Sequence, residues 1–428
     1  MPDASLNRLP LSVPELSIRV FRLPMKISLC MIVKDEAERL PGCLDSVRHQ
    51  VDEMRILDTG SQDDTIAIAQ SYGATVTSAE WRQDFAAARN QSLHEATGDW
   101  ILVLDADETL TEAGRELLNV IQAVQPIGEL PVASIVAVNL LRHEVNAAQA
   151  PYSEVSRLFR NRAEIKFTRP YHETIDDSVT QLLQAEPHWQ VAFWPEVAIA
   201  HTGYEADAIA QRDKFTRAES IMATYLAEHP QDAYICNKLG ALYVSLGRSE
   251  PGRSLLERGL ATQPTDPTTR YELHYHLGLA YRDMGLPAIA LDHYQKALAQ
   301  DVPAALKLGA YLNLGSLCQA HQNYQGAIAA FKQAIVAAPD FALAHFNLGI
   351  SKRAIGDLAG AVQAYEQAIA LDPQYAAAHQ NLGVALFKLG QLPESIRAFQ
   401  QAIALYRQTD PAQADDLLKR ISSLGISV

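Results

Sequence analysis

The stretch Trp100-Ile-Leu-Val-Leu-Asp-Ala-Asp-Glu108 decides how the first half of the chain is built. Ile101, Leu102, Val103 and Leu104 make a short apolar run of the kind that forms a buried strand. The run stops at Asp105 and Asp107, with Glu108 beside them. Open α/β sheets bind ligands outside the carboxyl ends of their strands, so a strand ending in acids delivers them to a site. Alternate residues of an extended segment share a face, so Asp105 and Asp107 can converge on one point. Oxygen ligands there suit Mg2+ or Mn2+, with phosphate as the co-ligand. The plainer alternative is an acidic turn leading into a helix, capped by Thr111 with Glu112 in its first turn.

Working outward, residues 26–33 (KISLCMIV) read as a second buried strand that ends in Lys34-Asp-Glu36, with a helix following to about Gln50. Residues 54–57 read as a third, ending at Asp58, and the turn Asp58-Thr-Gly-Ser-Gln-Asp-Asp-Thr65 feeds another helix. A short strand is expected at 74–77 and a helix at 84–96. Strands alternating with helices of about ten to fifteen residues imply βαβ units and a mostly parallel sheet. Right-handed crossovers then bring the strand ends to one edge. Three strands ending in carboxylates on one edge, at Asp35/Glu36, Asp58 and Asp105/Asp107, read as a site.

Further strands are expected at 133–141 and 191–200, with a hairpin formed by 155–160 and 164–168. Arg169-Pro-Tyr-His-Glu173 reads as a polar turn. The last strand runs into His201-Thr-Gly-Tyr204, and residues 206–229 are helical, with Lys214 and Arg217 on one flank.

The chain has 428 residues, 48% apolar and 20% charged, which suits a soluble protein of two or three domains. Its net charge of −14 lies wholly in residues 1–231, which carry 20 Lys+Arg against 34 Asp+Glu. That acidity argues against a nucleic-acid footprint. It is compatible with a site where a cation receives an anionic substrate. Cys30, Cys43, Cys236 and Cys318 show neither metal-ligand spacing nor a disulfide framework. No run approaches the roughly 18 apolar residues of a membrane span, no apolar signal core precedes Met25, and the expected location is cytoplasmic.

Beyond Asp232 the pattern repeats. Asn313-Leu-Gly315, Asn347-Leu-Gly349 and Asn381-Leu-Gly383 lie 34 residues apart, and Lys238-Leu-Gly240 and His276-Leu-Gly278 belong to the same series. A turn glycine follows at Gly247, Gly285, Gly356 and Gly390, with Gln322 in its place once. The second helices carry Ala290-x3-Tyr294, Ala327-x3-Phe331, Ala361-x3-Tyr365 and Ser395-x3-Phe399. This is the tetratricopeptide (TPR) signature of paired helices, with small residues where they cross and an aromatic in the pocket. The expected organisation is an extension at 1–25, an α/β domain at 26–205, a connecting helix at 206–231, five repeats at 232–408 and a capping helix at 409–428. The fold class is α/β followed by an all-α solenoid.

The first half, over residues 26–204, resembles the family 2 glycosyltransferases. The resemblance rests on Ile27-Ser-Leu-Cys-Met-Ile-Val-Lys-Asp-Glu36, Asp58-Thr-Gly-Ser-x-Asp-Asp-Thr65, Ala88-Arg-Asn90 and Leu104-Asp-Ala-Asp-Glu108. Tyr171-His-Glu173 and His201-x-Gly-Tyr204 look like the branch that often carries C-terminal TPR repeats. The resemblance implies a GT-A fold, a Rossmann-like mixed sheet that binds a nucleotide sugar, and usually inversion at the anomeric carbon. Carried over by position, Val33, Asp35, Glu36, Asp58 and Gly60 would line the nucleoside pocket, with Arg89 and Asn90 shaping it. Asp105 would approach the ribose and the metal, Asp107 would ligate Mn2+ or Mg2+, and His201 would be a further ligand or diphosphate contact. Glu173, with His172 as partner, would be the catalytic base; the residues themselves also permit a hydrogen-bonded turn. Asp35 stands where many members have Asn and Thr59 where many have Asp. A Gln-x-x-Arg-Trp element is missing, which argues against a processive synthase.

The expected function is hexosyltransferase-type: one sugar moves from a nucleotide-sugar donor, UDP-linked, to an acceptor. The repeats would present a concave groove to a protein or peptide acceptor or partner. The alternative is a non-catalytic TPR scaffold on a decayed transferase fold.

Overall fold

The computed structural model describes residues 24–145, 147, 150–203, 208–423 and 425, with backbone alone over 208–214. The expected extension lies almost wholly outside this range, as do Tyr204 and the Lys214 side chain. Among the described residues no helix is long and apolar enough to cross a membrane.

The first half runs β1 (Ile27–Val33), α1 (Leu40–Val47), β2 (Glu53–Asp58), α2 (Thr65–Ser71), β3 (Thr75–Ser78), α3 (Phe85–Leu93), β4 (Trp100–Val103), β5 (Glu108–Leu110), α4 (Glu112–Gln122), β6 (Ile135–Glu144), β7 (Tyr152–Arg160), α5 (Asp176–Ala185) and β8 (Gln190–His201). One sheet takes the order β3-β2-β1-β4-β7-β6-β8-β5. β3, β2, β1 and β4 pair in parallel, whereas β7 lies antiparallel to both β4 and β6. β8 runs parallel to β6, and β5 antiparallel to β8. The sheet is therefore mixed. Alternate residues of β4 feed two cores: Trp100 and Leu102 enter one, Ile101 and Val103 the other. Burial on both faces is why the strand reads as an uninterrupted apolar run.

The acidic turn forms at Ala106–Asp107 and Thr111 caps α4, its hydroxyl accepting from Gly114 N; between them Glu108 to Leu110 adds a short strand on β8. One expectation changes. The hairpin at 164–168 does not form. Ile165 and Phe167 are buried, but their stretch is held by side chains: Phe167 N–H donates to Asn90 at 2.8 Å and Lys166 N–H to Ser178 at 3.0 Å. Alternating apolar residues need a buried face, and here they have one without a ladder.

α6 (Ala208–Glu228) leads into paired helices α7 (Ala233–Ser245) and α8 (Ser249–Ala261), α9 (Pro267–Asp283) and α10 (Pro287–Leu298), α11 (Leu308–Ala320) and α12 (Tyr324–Ala337), α13 (Ala342–Ala354) and α14 (Leu358–Leu371), and α15 (Ala376–Lys388) and α16 (Leu392–Thr409). α17 (Pro411–Ser423) buries Ala414, Leu417 and Ile421 at the end of the stack. Gln322 takes the left-handed turn at φ +58° that Gly356 and Gly390 take at +85° and +77°. The halves share a core: Leu141, Tyr152, Phe193 and Val197 of the sheet pack with Tyr271, Tyr275 and Leu306 of the solenoid.

Candidate active site

β1, β2 and β4 end side by side, so the acids after them meet at one edge. Asp35 adopts φ +54°, a left-handed conformation that Asp and Asn tolerate better than other residues with a side chain. The departure from Asn thus keeps the backbone shape. Asp35 accepts from Gln62 N at 2.7 Å and Glu36 N donates to Thr65 Oγ1 at 2.8 Å, which locks the two turns together. The buried Asp58 carboxylate accepts from Gly60 N at 3.0 Å and Ser61 N at 3.1 Å. Gly60, at φ +106°, supplies a backbone that a β-carbon would strain.

Asp105 and Asp107 have different surroundings. The Asp105 Oδ1 receives Arg89 Nη2, and Oδ2 receives Arg157 at 3.0 Å. Burial alone would raise its pKa, but the two guanidiniums hold it well below the usual carboxylate range. Arg89 is itself buried, and its Nε donates to Glu173 Oε1 at 2.5 Å. The Nη1 atoms of Arg89 and Arg157 are buried and without a hydrogen-bond partner. Asn90 spends its amide on the Phe167 backbone, accepting at 2.8 Å and donating at 2.9 Å, so it fixes the neighbouring segment. His172 is exposed beside Glu173, at φ +52°.

Asp107 faces His201 instead, with Oδ2 3.3 Å from Nε2. The other His201 nitrogen meets Glu144 Oε2 at 2.5 Å. Burial depresses the imidazole pKa, but hydrogen bonds to Asp107 and Glu144 outweigh it and raise it to about 9. Behind Glu144 stand Arg142, 2.8 Å away, and Glu108, 2.7 Å from Arg142. Glu108 also accepts from Asp105 N at 2.9 Å, which closes a chain from one acid to the other. Burial raises the pKa of Glu36, Arg39 lowers it, and the nearby Asp107 and Asp105 raise it further.

A β-carbon on Gly203 would lie 2.5 Å from His201 Nε2 and 2.6 Å from Asp107 Oδ2. The glycine lets the backbone pass directly against this pair. One carboxylate and one imidazole are groups of the kind that ligate a divalent cation. Among the described residues three or more such groups do not gather into a closed cage.

Residues 28–191 match glycosyl transferase family 2, and tetratricopeptide matches cover 275–342, 312–351, 351–390 and 376–409. A TPR repeat-containing protein of Synechococcus elongatus is 49% identical over 73% of this chain and 76% of its own length. The chain belongs to the family 2 glycosyltransferases that carry TPR repeats. An uncharacterized glycosyltransferase of Rickettsia felis is 27% identical over 45% of this chain and 68% of its own length. Among solved structures, the crystal structure of MamA covers 40% of this chain and 96% of its own at 26% identity and a TM-score of 0.36.

In this glycosyltransferase, sequence reading passed over Arg142, Glu144 and Arg157. A signal existed in the ends of the strands. Leu140-Leu-Arg-His-Glu144 turns abruptly charged after an apolar run, and Arg157 sits in a strand between Ser156 and Leu158.

Proposed function

We propose that this chain moves a single sugar, with inversion, from a UDP-linked nucleotide sugar to a protein or peptide acceptor, using Mn2+ or Mg2+. The observation that carries the reading is the Asp107–His201 pair at 3.3 Å, backed by Glu144 and passed closely by the Gly203 backbone. Asp107 and His201 hold the cation. Asp105, with both oxygens on arginines, leaves the ligand set and instead sets the positions of Arg89 and Arg157. When bound, the cation neutralises charge growing on the leaving diphosphate.

Val33, Asp35, Glu36, Asp58 and Gly60 form the nucleoside wall through their interlocked turns. Arg89 and Arg157 each keep a buried N–H without an acceptor, and the bound donor supplies one. Glu173 takes the acceptor's proton as the nucleophile attacks the anomeric carbon and the nucleoside diphosphate departs. Arg89 aims Glu173, and His172 flanks it. The catalytic sheet packs against the early repeat helices, so the acceptor is assigned to the later ones, α13 and α15.

The test is release of UDP from UDP-sugars with Mn2+, by the intact chain and by Asp107→Ala. Turnover by the first and none by the second is expected. No turnover by the intact chain, or full turnover by Asp107→Ala, would sink the reading.

A further inference from the structure

The segment from Thr168 to Thr174 is a closed loop. Thr168 N donates to Thr174 O at 2.9 Å, and Thr174 N to Thr168 O at 3.3 Å. It presents Glu173, and it contains two non-glycine residues in the left-handed region, Arg169 at φ +73° and His172 at φ +52°. Such backbone persists only where the surroundings impose it.

Four elements impose it here: α3, α5, α6 and the first repeat. From α3, Phe85 N donates to Pro170 O at 3.0 Å, and Arg89 holds Glu173. From α6, Arg217 lies 4.7 Å over the Trp81 ring and 5.6 Å over Phe85. Phe85 in turn meets Tyr171 edge-on at 5.4 Å, and Tyr171 packs with Ala218, Met222 and Leu226. From the first repeat, Asp232 Oδ2 accepts from Arg169 Nε at 2.9 Å, and the guanidinium lies 4.9 Å over the Tyr234 ring. Arg169 also meets Asp177 at 2.7 Å. The side chains of Arg169 and Asp232 are only 10% and 11% exposed, so the pair is sheltered from water.

We propose that the first repeat is part of the catalytic apparatus, with Asp232 a positioning residue that acts through Arg169 on the loop presenting Glu173. The solenoid then sets the rate of transfer as well as gathering the acceptor. This rests on the proposed sugar transfer with Glu173 as base. A capping duty alone does not explain Asp232. Its Oδ1 caps α7 by accepting from Ile235 N at 2.9 Å, while Oδ2 accepts from Arg169 Nε at 2.9 Å and from the Tyr225 hydroxyl at 3.3 Å.

Asp232→Asn in the full chain separates the two duties, because Asn caps a helix as well as Asp but offers Arg169 no charge. The expected result is a kcat lowered between about tenfold and a hundredfold, the scale of a small misplacement of a catalytic group. Donor KM stays unchanged, amide hydrogen exchange speeds up over 168–174, and exchange in α13 to α16 is unaltered. In an Arg169→Leu background, Asp232→Asn should lower kcat far less than it does in the wild type. A wild-type kcat for Asp232→Asn overturns the proposal, whatever the exchange shows. If the wild-type chain turns over no nucleotide sugar, the transfer reading fails by itself; exchange then decides the positioning, and an unchanged rate over 168–174 overturns it.

Discussion

The two halves bury difficult groups in opposite ways. The solenoid repeats one local solution. Rings of Tyr294, Phe331, Tyr365 and Phe399 stand against Gly278, Gly315, Gly349 and Gly383, where a β-carbon would come within 2.4 to 2.7 Å of them. Each ring lies the same distance along the chain from its glycine. The catalytic half joins distant residues by charge: Arg89 to Glu173 across 84 positions, Asp105 to Arg157 across 52, His201 to Glu144 across 57. The contrast teaches that buried apolar shape can be written in a short period, whereas a buried charge is stable only where the fold returns its partner to it.

The sharpest way to break this comparison is Arg89→Leu. It leaves Asp105 and Glu173 without their shared guanidinium, and loss of one partner from a buried pair costs about 3–5 kcal/mol. Urea denaturation should show that loss, with sugar transfer abolished. If the stability stays within about 0.5 kcal/mol of wild type, the charge network is not what holds this half together.

Next comes a pH effect confined to the catalytic half. His201 has its pKa raised from 6.5 to about 9 by Asp107 and Glu144 against the pull of burial. A pKa raised in the folded state stabilises fully below the unfolded value and is lost as pH rises through the folded one. With chelator present, stability should therefore fall between about pH 6.5 and 9, by at most about 3 kcal/mol. His201→Asn should flatten that slope. A slope that survives the substitution would assign it elsewhere.

In the solenoid, Gly349→Ala places a methyl 2.5 Å from the Tyr365 ring. Overpacking of that kind costs about 1–3 kcal/mol. Thermal unfolding should register it without a change in donor KM, and Tyr365→Leu in the same background should recover part of it. The smallest effect is expected at the exposed Arg397–Glu394 pair, 3.0 Å apart on α16. Arg397→Ala should move stability by less than about 0.5 kcal/mol.

Legibility in the sequence followed the same division. The repeats could be read from their period alone, including Gln322, which takes the turn conformation of the glycine it replaces. β1, β2 and β4 were legible because both their faces are buried and their ends are acidic. The arginine contacts of Asp105 were not, because Arg157 comes from a strand 52 positions further on and Arg89 gives no sign in the sequence of turning toward it. Asn90 was legible as a motif but not as the bracket of the Phe167 backbone. The segment 164–168 alternates like a strand, yet its backbone is satisfied by Asn90 and Ser178.

The shared core of Leu141, Tyr152, Tyr271 and Tyr275 bears on how such a chain can lengthen. A duplicated 34-residue unit needs a repeat on each side to receive its two faces. α9 to α11 have the sheet as an additional neighbour, while α17 closes the far end. Gene duplication can therefore insert or delete whole units beyond α12 at little cost, and the catalytic half stays tied to the repeats it already has.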